Sequence, residues 1–305
     1  MKHCAITTIL TVCLALTAGS AHARLPPAPG AEASQTKPSA TADRAAMQTM
    51  QIPSHGALLN ALVYIAAGAG PHPAVILLHG FPGNERNLDL AQDMRRAGWD
   101  VLYFNYRGAW GTPGDFSFAH GIEDVAAALA YLRQPDVAKT LRLDPNRIVL
   151  MGHSMGGFMT VQGAAADPAI KAFAMISGAD MAGRTQSILA KEKRPDAIAA
   201  MATGLADEGM APLAGCTSTG LANELADNAA SWQFMGKVDT LKNRNALIIT
   251  SDDGLTDEDN AFAAALRKAG NTHVTTEHLS TDHAYSDKRT ELSKTVLRWL
   301  ASLPK

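Results

Sequence analysis

The chain has 305 residues, a formal net charge of −2, 47% hydrophobic residues and 18% charged residues. That length suits one large domain able to bury a substantial core, and the balance is ordinary for a soluble globular protein. Without a basic surplus there is no electrostatic case for nucleic acid or anionic lipid as a partner.

Met1 to Ala23 reads as a cleavable secretory leader. Lys2 supplies the positive start, Ile6 to Ala18 the apolar stretch and Ala21-His22-Ala23 the small-x-small site. Cleavage is expected before Arg24, which makes the mature protein secreted or periplasmic. The apolar stretch is too short for a membrane span of roughly 20 residues, and the branched Val12 ahead of Cys13 argues against lipid attachment. Cys4 and Cys13 would leave with the leader, so Cys216 is expected to stand alone, outside any intramolecular disulfide. Arg24 to Ala46, rich in Pro, Ala, Ser and Thr and lacking apolar periodicity, predicts a disordered linker ahead of a folded domain at 47–305.

Met50 to Pro53 and Ala61 to Ala66, on either side of Ser54-His55-Gly56, predict an antiparallel hairpin. Ala74 to Leu78 is a continuous apolar run, the pattern of a strand buried on both faces, and it ends in His79-Gly80-Phe81-Pro82-Gly83-Asn84. A helix from Glu85 to Ala97 follows, closed by Gly98 as a left-handed cap. Val101 to Asn105 is the next strand, Asp115 to Arg133 a loop and helix, and Asp144-Pro145-Asn146 a turn into the apolar run Arg147 to Met151. Strands and helices alternating at these lengths imply an α/β fold, a mostly parallel sheet with helices on both faces. Ligands of such sheets bind beyond the strand C-termini.

Gly152-His153-Ser154-Met155-Gly156 comes next, between that run and an Ala-rich, helix-like stretch. A G-x-S-x-G pentapeptide with a strand before and a helix after is a nucleophile elbow, a turn tight enough to lift one serine hydroxyl above the sheet edge. Gly152, Gly156 and Gly157 remove the Cβ atoms that would collide there. Ser154 is therefore the candidate nucleophile, its bland alternative being a plain turn serine. A carbonyl attacked by a serine develops a negative oxygen that needs two fixed donors. The backbone N–H groups of Met155, next to the nucleophile, and of Phe81, after His79-Gly80, are the candidates.

Lys171 to Ser177 predicts the next strand, after which 180–236 interrupts the alternation with short helix-like pieces, a small helical cap insertion. Its apolar residues, Met181, Ile188, Leu189, Met201, Leu205, Met210, Leu213, Leu221, Leu225, Trp232, Phe234 and Met235, either line a site, where methionine is adaptable, or glue the cap to the core. Glu208 and Glu224 are candidates to hold a substrate amine, against the commoner surface role. Asn245 to Thr250 is another buried-strand run that stops at Ser251-Asp252-Asp253-Gly254, where one carboxylate is expected to orient a base. Val274 to Leu279 predicts the last strand, and a helix from Lys288 to Ala301 closes the chain.

Ten histidines are present. His283 alone follows the acidic pair in a loop after the last strand, and it is the candidate base. His79 and His153 are read as braces of their motifs, His55, His72 and His120 as loop residues, and His273 and His278 as half-exposed strand flanks. The chain order serine, carboxylate, histidine separates this arrangement from unrelated serine hydrolases. No metal-ligand spacing and no strand-linked G-x-G-x-x-G is seen, so the chemistry is expected to need neither metal nor cofactor.

The segments His79 to Asn84, Asn105-Tyr106-Arg107-Gly108-Ala109-Trp110-Gly111, Gly152 to Gly157, Ser251 to Gly254 and Thr281-Asp282-His283-Ala284 together resemble the α/β-hydrolase superfamily. Within it, the chain is similar to the small bacterial serine hydrolases described as dienelactone-hydrolase-like or prolyl-oligopeptidase-like. The resemblance covers most of Ala46 to Leu303 and implies the α/β-hydrolase fold. It also favours Asp253, the carboxylate nearer the Gly254-Leu255 turn, as the acid, leaving Asp252 to cap the helix that starts near Thr256 or Asp257. Ser154 stands where true dienelactone hydrolases carry cysteine, and no propeller precedes the domain as in prolyl oligopeptidases, so neither activity carries over. The expected chemistry is acyl transfer from a small ester by Ser154, His283 and Asp253. A serine peptidase or amidase acting on short peptides is the alternative, and a noncatalytic binding module on a hydrolase scaffold is the third possibility.

Overall fold

The computed structural model describes residues 43–304. The leader expected at Met1 to Ala23 and nearly all of the expected linker lie outside the described residues. Eight strands form one sheet: β1 (Ala46–Ser54), β2 (Ala57–Ile65), β3 (His72–Leu78), β4 (Asp100–Phe104), β5 (Leu143–His153), β6 (Ala172–Ile176), β7 (Asn245–Ser251) and β8 (Val274–Leu279). Their spatial order is β1-β2-β4-β3-β5-β6-β7-β8. β1 and β2 run antiparallel to their neighbours, and every pairing from β4 to β8 is parallel. This is the α/β-hydrolase fold.

Parallel strands need crossovers, and the crossover helices bury both faces of the sheet. That is why the central strands read as unbroken apolar runs. Along β3 alternate residues part to opposite sides, Ala74, Ile76 and Leu78 into one core and Val75 and Leu77 into the other. The second core is closed by α1 (Leu88–Arg96) through Leu90 and Met94, and by α10 (Arg289–Ser302) through Leu292, Val296 and Trp299. On the first side lie α2 (Phe118–Leu132), α4 (Met155–Ala166) and α9 (Thr256–Lys268). Between β6 and β7 the chain forms α5 (Met181–Leu189), α6 (Arg194–Asp207), α7 (Ser218–Trp232), a short 3₁₀ turn and α8 (Val238–Leu241).

Local structure departs from expectation where short-range chemistry decides. The hairpin is longer than its apolar pattern because His55 (φ +45°) and Gly56 (φ +84°) form the left-handed two-residue turn that matches strand twist. The helix expected from Glu85 starts at Leu88, since Asn87 takes φ +54° and gives its N–H to the Glu85 carboxylate at 2.6 Å. Gly98 does close it at φ +93°. Asp144-Pro145-Asn146 lies inside β5 as an irregularity of its register with β3, Asp144 accepting the Asn146 N–H at 3.0 Å. α3 (Pro135–Leu141), with proline in its first turn, is too short to show a period. His72 begins β3 and is buried, and His120 lies in the first turn of α2, so neither is a loop residue.

One buried ion pair ties the antiparallel edge to the parallel core. Asp124 of α2, fully buried, accepts Ser54 Oγ at 2.6 Å, the Arg107 N–H at 2.7 Å and Arg107 Nε at 2.7 Å. Burial pushes its carboxyl up despite those partners. The Arg107 guanidinium also donates to His120 O at 3.0 Å and pairs with Glu123. Removing Asp124 takes the carboxylate from the backbone N–H and Nε of buried Arg107 and from Ser54, and leaves the guanidinium only the half-exposed Glu123 and the His120 carbonyl. Asp124→Ala is therefore expected to cost about 3–5 kcal/mol of stability in urea unfolding, against less than about 1 kcal/mol for an exposed carboxylate such as Asp239.

Candidate active site

β5 delivers the chain to Ser154, and α4 leaves from Met155. Ser154 sits at φ +58°, ψ −123°, a conformation that costs a side-chain-bearing residue roughly 1–3 kcal/mol. Four hydrogen bonds hold it there: Ser154 N–H to Ile176 O at 3.0 Å, and the N–H groups of Gly157, Ala179 and Phe158 to Ser154 O at 2.8, 3.1 and 3.4 Å. The glycines are obligatory on space alone. A Cβ at Gly152 would lie 2.0 Å from Gly156 O, and one at Gly156 2.0 Å from Leu78 O.

Because β3, β5, β6, β7 and β8 are parallel, their C-terminal ends share one rim, and Phe81, Ser154, Asp253 and His283 all follow such ends. The structure gathers these four and Met155 around one cavity of about 620 Å³. His283 Nδ1 lies 2.7 Å from Asp253 Oδ2, and the other Asp253 oxygen accepts the Leu255 N–H at 3.0 Å. The Asp253 side chain is only 3% exposed while that of His283 is 42% exposed, so the pair is anchored inside and open at the imidazole. Burial works against charge on Asp253. Hydrogen bonds from His283 and from the Leu255 N–H, with the Ser177 and Ser251 hydroxyls close by, nevertheless hold its carboxyl well below the usual range. With the carboxylate ionised, Nδ1 carries the imidazole proton and Nε2 is the basic nitrogen. Ser154 and His283 face the same cavity with no hydrogen bond between them in this structure.

The neighbouring carboxylate goes elsewhere. Asp252 is exposed and pairs with His278 Nε2 at 3.1 Å, and His278 Nδ1 faces Thr250 Oγ1 at 2.9 Å. Asp252 does not take the helix-capping role expected of it: the N-cap of α9 is Leu255, with no side-chain cap bond, and its own N–H goes to Asp253. The Phe81 N–H has no partner among the described residues, and that of Met155, first in α4, has none within its helix. Trp110 Nε1 steadies the Phe81 loop by donating to Pro82 O at 3.0 Å, with the Arg86 guanidinium 4.2 Å over the indole.

Both motif histidines are buried. His153 Nε2 donates to His283 O at 2.8 Å, and the two rings lie 4.5 Å apart, tilted by 38°. Burial, helped by nearby His283, pushes His153 down to about 3. Burial likewise takes His79 to about 4, against its bond to Gly80 O at 2.8 Å. On the cap side, Met181, Ile188, Met201, Leu205 and Leu225 border the cavity, whereas Leu221 and Phe234 are buried in the core. Glu224 cannot anchor a substrate amine: its carboxylate caps α2, accepting Phe118 and Ala119 N–H at 2.9 Å each. Glu208 does border the cavity, as do Arg184 and Thr185, two residues that carried no signal in the sequence.

Residues 75–294 match the Alpha/beta hydrolase family, and the chain belongs to that family. Over 124 residues it is 29% identical to the quorum-quenching protein AidA of Acinetobacter baumannii (strain MDR-ZJ06), a match that spans 39% of each chain. Among solved structures it is similar to a hyperthermophilic esterase from the archaeon Pyrobaculum calidifontis, with TM-score 0.62, 20% identity, and 84% of this chain and 85% of that one covered. It is also similar to a fungal esterase from Rhizomucor miehei, with TM-score 0.63, 19% identity, and 85% and 83% covered. At these identities the structural likeness is one of fold.

His153 stays neutral in the fold down to about pH 3, while in the unfolded chain it gains a proton near 6.5. Falling pH between those values therefore favours unfolding, and stability present at neutral pH is progressively lost. His153→Gln is expected to lose less stability than the parent between pH 7 and 5, by up to about 2 kcal/mol. Urea unfolding at the two pH values measures the difference, and equal losses would contradict it.

Proposed function

We propose that the protein is a serine hydrolase that cleaves carboxylic esters of small, largely apolar substrates through an acyl-enzyme. The observation that carries this is the His283–Asp253 pair, set on the same cavity that the strained Ser154 elbow opens into. Ser154 Oγ attacks the ester carbonyl carbon, and its proton passes to His283 Nε2 while Nδ1 stays on Asp253. The carbonyl oxygen, now negative, rests on the Phe81 and Met155 N–H groups. Collapse breaks the bond to the leaving alcohol, which takes the proton from His283. Water then repeats the cycle on the acyl-enzyme, releasing the acid and restoring Ser154. An ionised Asp253 favours the imidazolium that forms in both steps.

The methionine and leucine lining from α5, α6 and α7 supports an apolar acyl group as the occupant. A peptide amine finds Glu224 already committed to α2, which leaves exposed Glu208 as its one carboxylate on the cap side. Ester cleavage is accordingly preferred to peptide cleavage. The leader expected at Met1 to Ala23 would carry this activity out of the cytoplasm.

Ser154→Ala is expected to lower turnover of p-nitrophenyl esters by about 10⁴- to 10⁶-fold and to abolish labelling by a fluorophosphonate. Parent-like turnover in the pure variant would refute the assignment of Ser154. Across straight-chain esters, kcat/KM is expected to climb from acetyl to hexanoyl by up to about fourfold per methylene. Faster cleavage of amino-acid anilides than of any ester would make the protein a peptidase. A parent chain that takes no label would make it a binding module.

A further inference from the structure

Three buried hydroxyls adjoin the Asp253–His283 pair and take part in none of the steps above. Ser177, directly after β6, is fully buried at φ +45° and gives its N–H to Ile249 O at 2.7 Å. Its Oγ lies 3.0 Å from Oγ of Ser251, the last residue of β7, and 2.8 Å from the Tyr285 hydroxyl. Tyr285 belongs to the loop that carries His283. It too is fully buried, at φ +59°, and its hydroxyl also reaches Ile249 O at 3.3 Å. Left-handed backbone is unfavourable for a serine and more so for a bulky tyrosine, so the surrounding bonds must hold both residues in place. Phenylalanine would fill the same space and leave no hydroxyl to satisfy.

We propose that Ser177, Ser251 and Tyr285 are positioning residues: the bonds among their hydroxyls tie the His283 loop to the ends of β6 and β7, keeping His283 presented to Ser154. This rests on Ser154, Asp253 and His283 acting as proposed above. Two consequences follow from the chemistry. A base that swings on a loosened loop is misaligned with its nucleophile, which lowers kcat and leaves KM nearly alone. Hydroxyls close to Asp253 also lower the proton affinity of the carboxylate that faces His283. Without them the carboxylate is the stronger acceptor, the imidazolium is better held, and the acid limb of kcat/KM moves to higher pH.

The titratable and charged groups around the pair are His153 from the end of β5, Glu258 and Asp259 from α9, Asp282 from the loop itself and Arg289 from α10. Tyr285 is a further titratable group beside Asp253 and is altered only in Tyr285→Phe, whereas Ser251→Ala alters none of them, so a limb moved in both variants reports on the hydroxyls.

The test compares Tyr285→Phe and Ser251→Ala with the parent on p-nitrophenyl hexanoate from pH 5 to 9. Each variant is expected to lose about fivefold to tenfold in kcat with KM within about twofold, and to raise the acid limb by about half a unit. Parent-like kcat and acid limb in both variants overturn the proposal, as does a loss of kcat with the limb unmoved, the outcome of mere loosening of the fold. If Tyr285→Phe lacks the parent's near-ultraviolet circular dichroism, Ser251→Ala decides alone. A parent that neither turns over esters nor takes a fluorophosphonate label shows instead that the assignment of Ser154 has failed, and the positioning role falls with it.

Discussion

The site depends on how closely backbones can approach at one rim of the sheet. Gly152, Gly156 and Leu78 crowd to distances at which no side chain fits, and that crowding forces Ser154 into a conformation it would otherwise avoid. The strain is borne by bonds to strand ends: β6 accepts the Ser154 N–H through Ile176, and the Ser154 carbonyl holds Gly157 and Ala179. A turn over-determined in this way has little freedom left, which is the property a nucleophile needs when attack requires fixed geometry. Parallel pairing does the rest, because it brings the ends of β3, β7 and β8 to the same rim.

The same rim anchors the cap. Asp259 of α9, fully buried, accepts the Gly178 N–H at 2.9 Å, and Glu258 accepts that of Asp180 at 3.0 Å. Asp180 in turn accepts Gly183 N–H at 2.9 Å and Phe234 N–H at 3.0 Å, closing both ends of the cap onto one carboxylate. Burial pushes Asp259 well up and Glu258 to about 7, so three carboxyls are packed together without three full charges. Backbone N–H groups serve as the partners of all three, with Arg184 3.6 Å from Glu258. The cap is thus hinged on hydrogen bonds to the segment that follows β6, the segment that also steadies Ser154.

The fold was legible in the sequence because burial on both faces writes itself as continuous apolar runs, and because the motifs stand where those runs end. The positions of Ser154 and His283 around one cavity followed from the same logic. The preference for Asp253 over Asp252 came from the family resemblance and not from the apolar runs. Adjacent residues past a strand end point to different sides, and which side faces the imidazole is set by a backbone turn, here the one in which Asp253 accepts the Leu255 N–H. Asn87, the Asp144 bulge and α3 were hidden for a related reason: each is decided by one or two local hydrogen bonds too brief to leave a period. Ser177 and Tyr285 belong to no motif, and a lone serine or tyrosine has no pattern until folding brings it beside a carboxylate.

The two adjacent aspartates show how environment divides chemically identical groups. Asp252, exposed, meets His278 on the outer strand β8, where water screens the pair and the bond contributes little. Asp253 is almost wholly removed from water, a position that by itself would raise its proton affinity and spoil it as a partner for a cationic imidazole. Hydrogen bonds from His283 and from the Leu255 N–H, with two serine hydroxyls close by, reverse that outcome. An ionised carboxylate inside the protein is costly unless its lone pairs are filled, and here the donors that fill them also fix its direction. What makes Asp253 charged is therefore also what orients it, so a change that weakens one property is bound to weaken the other.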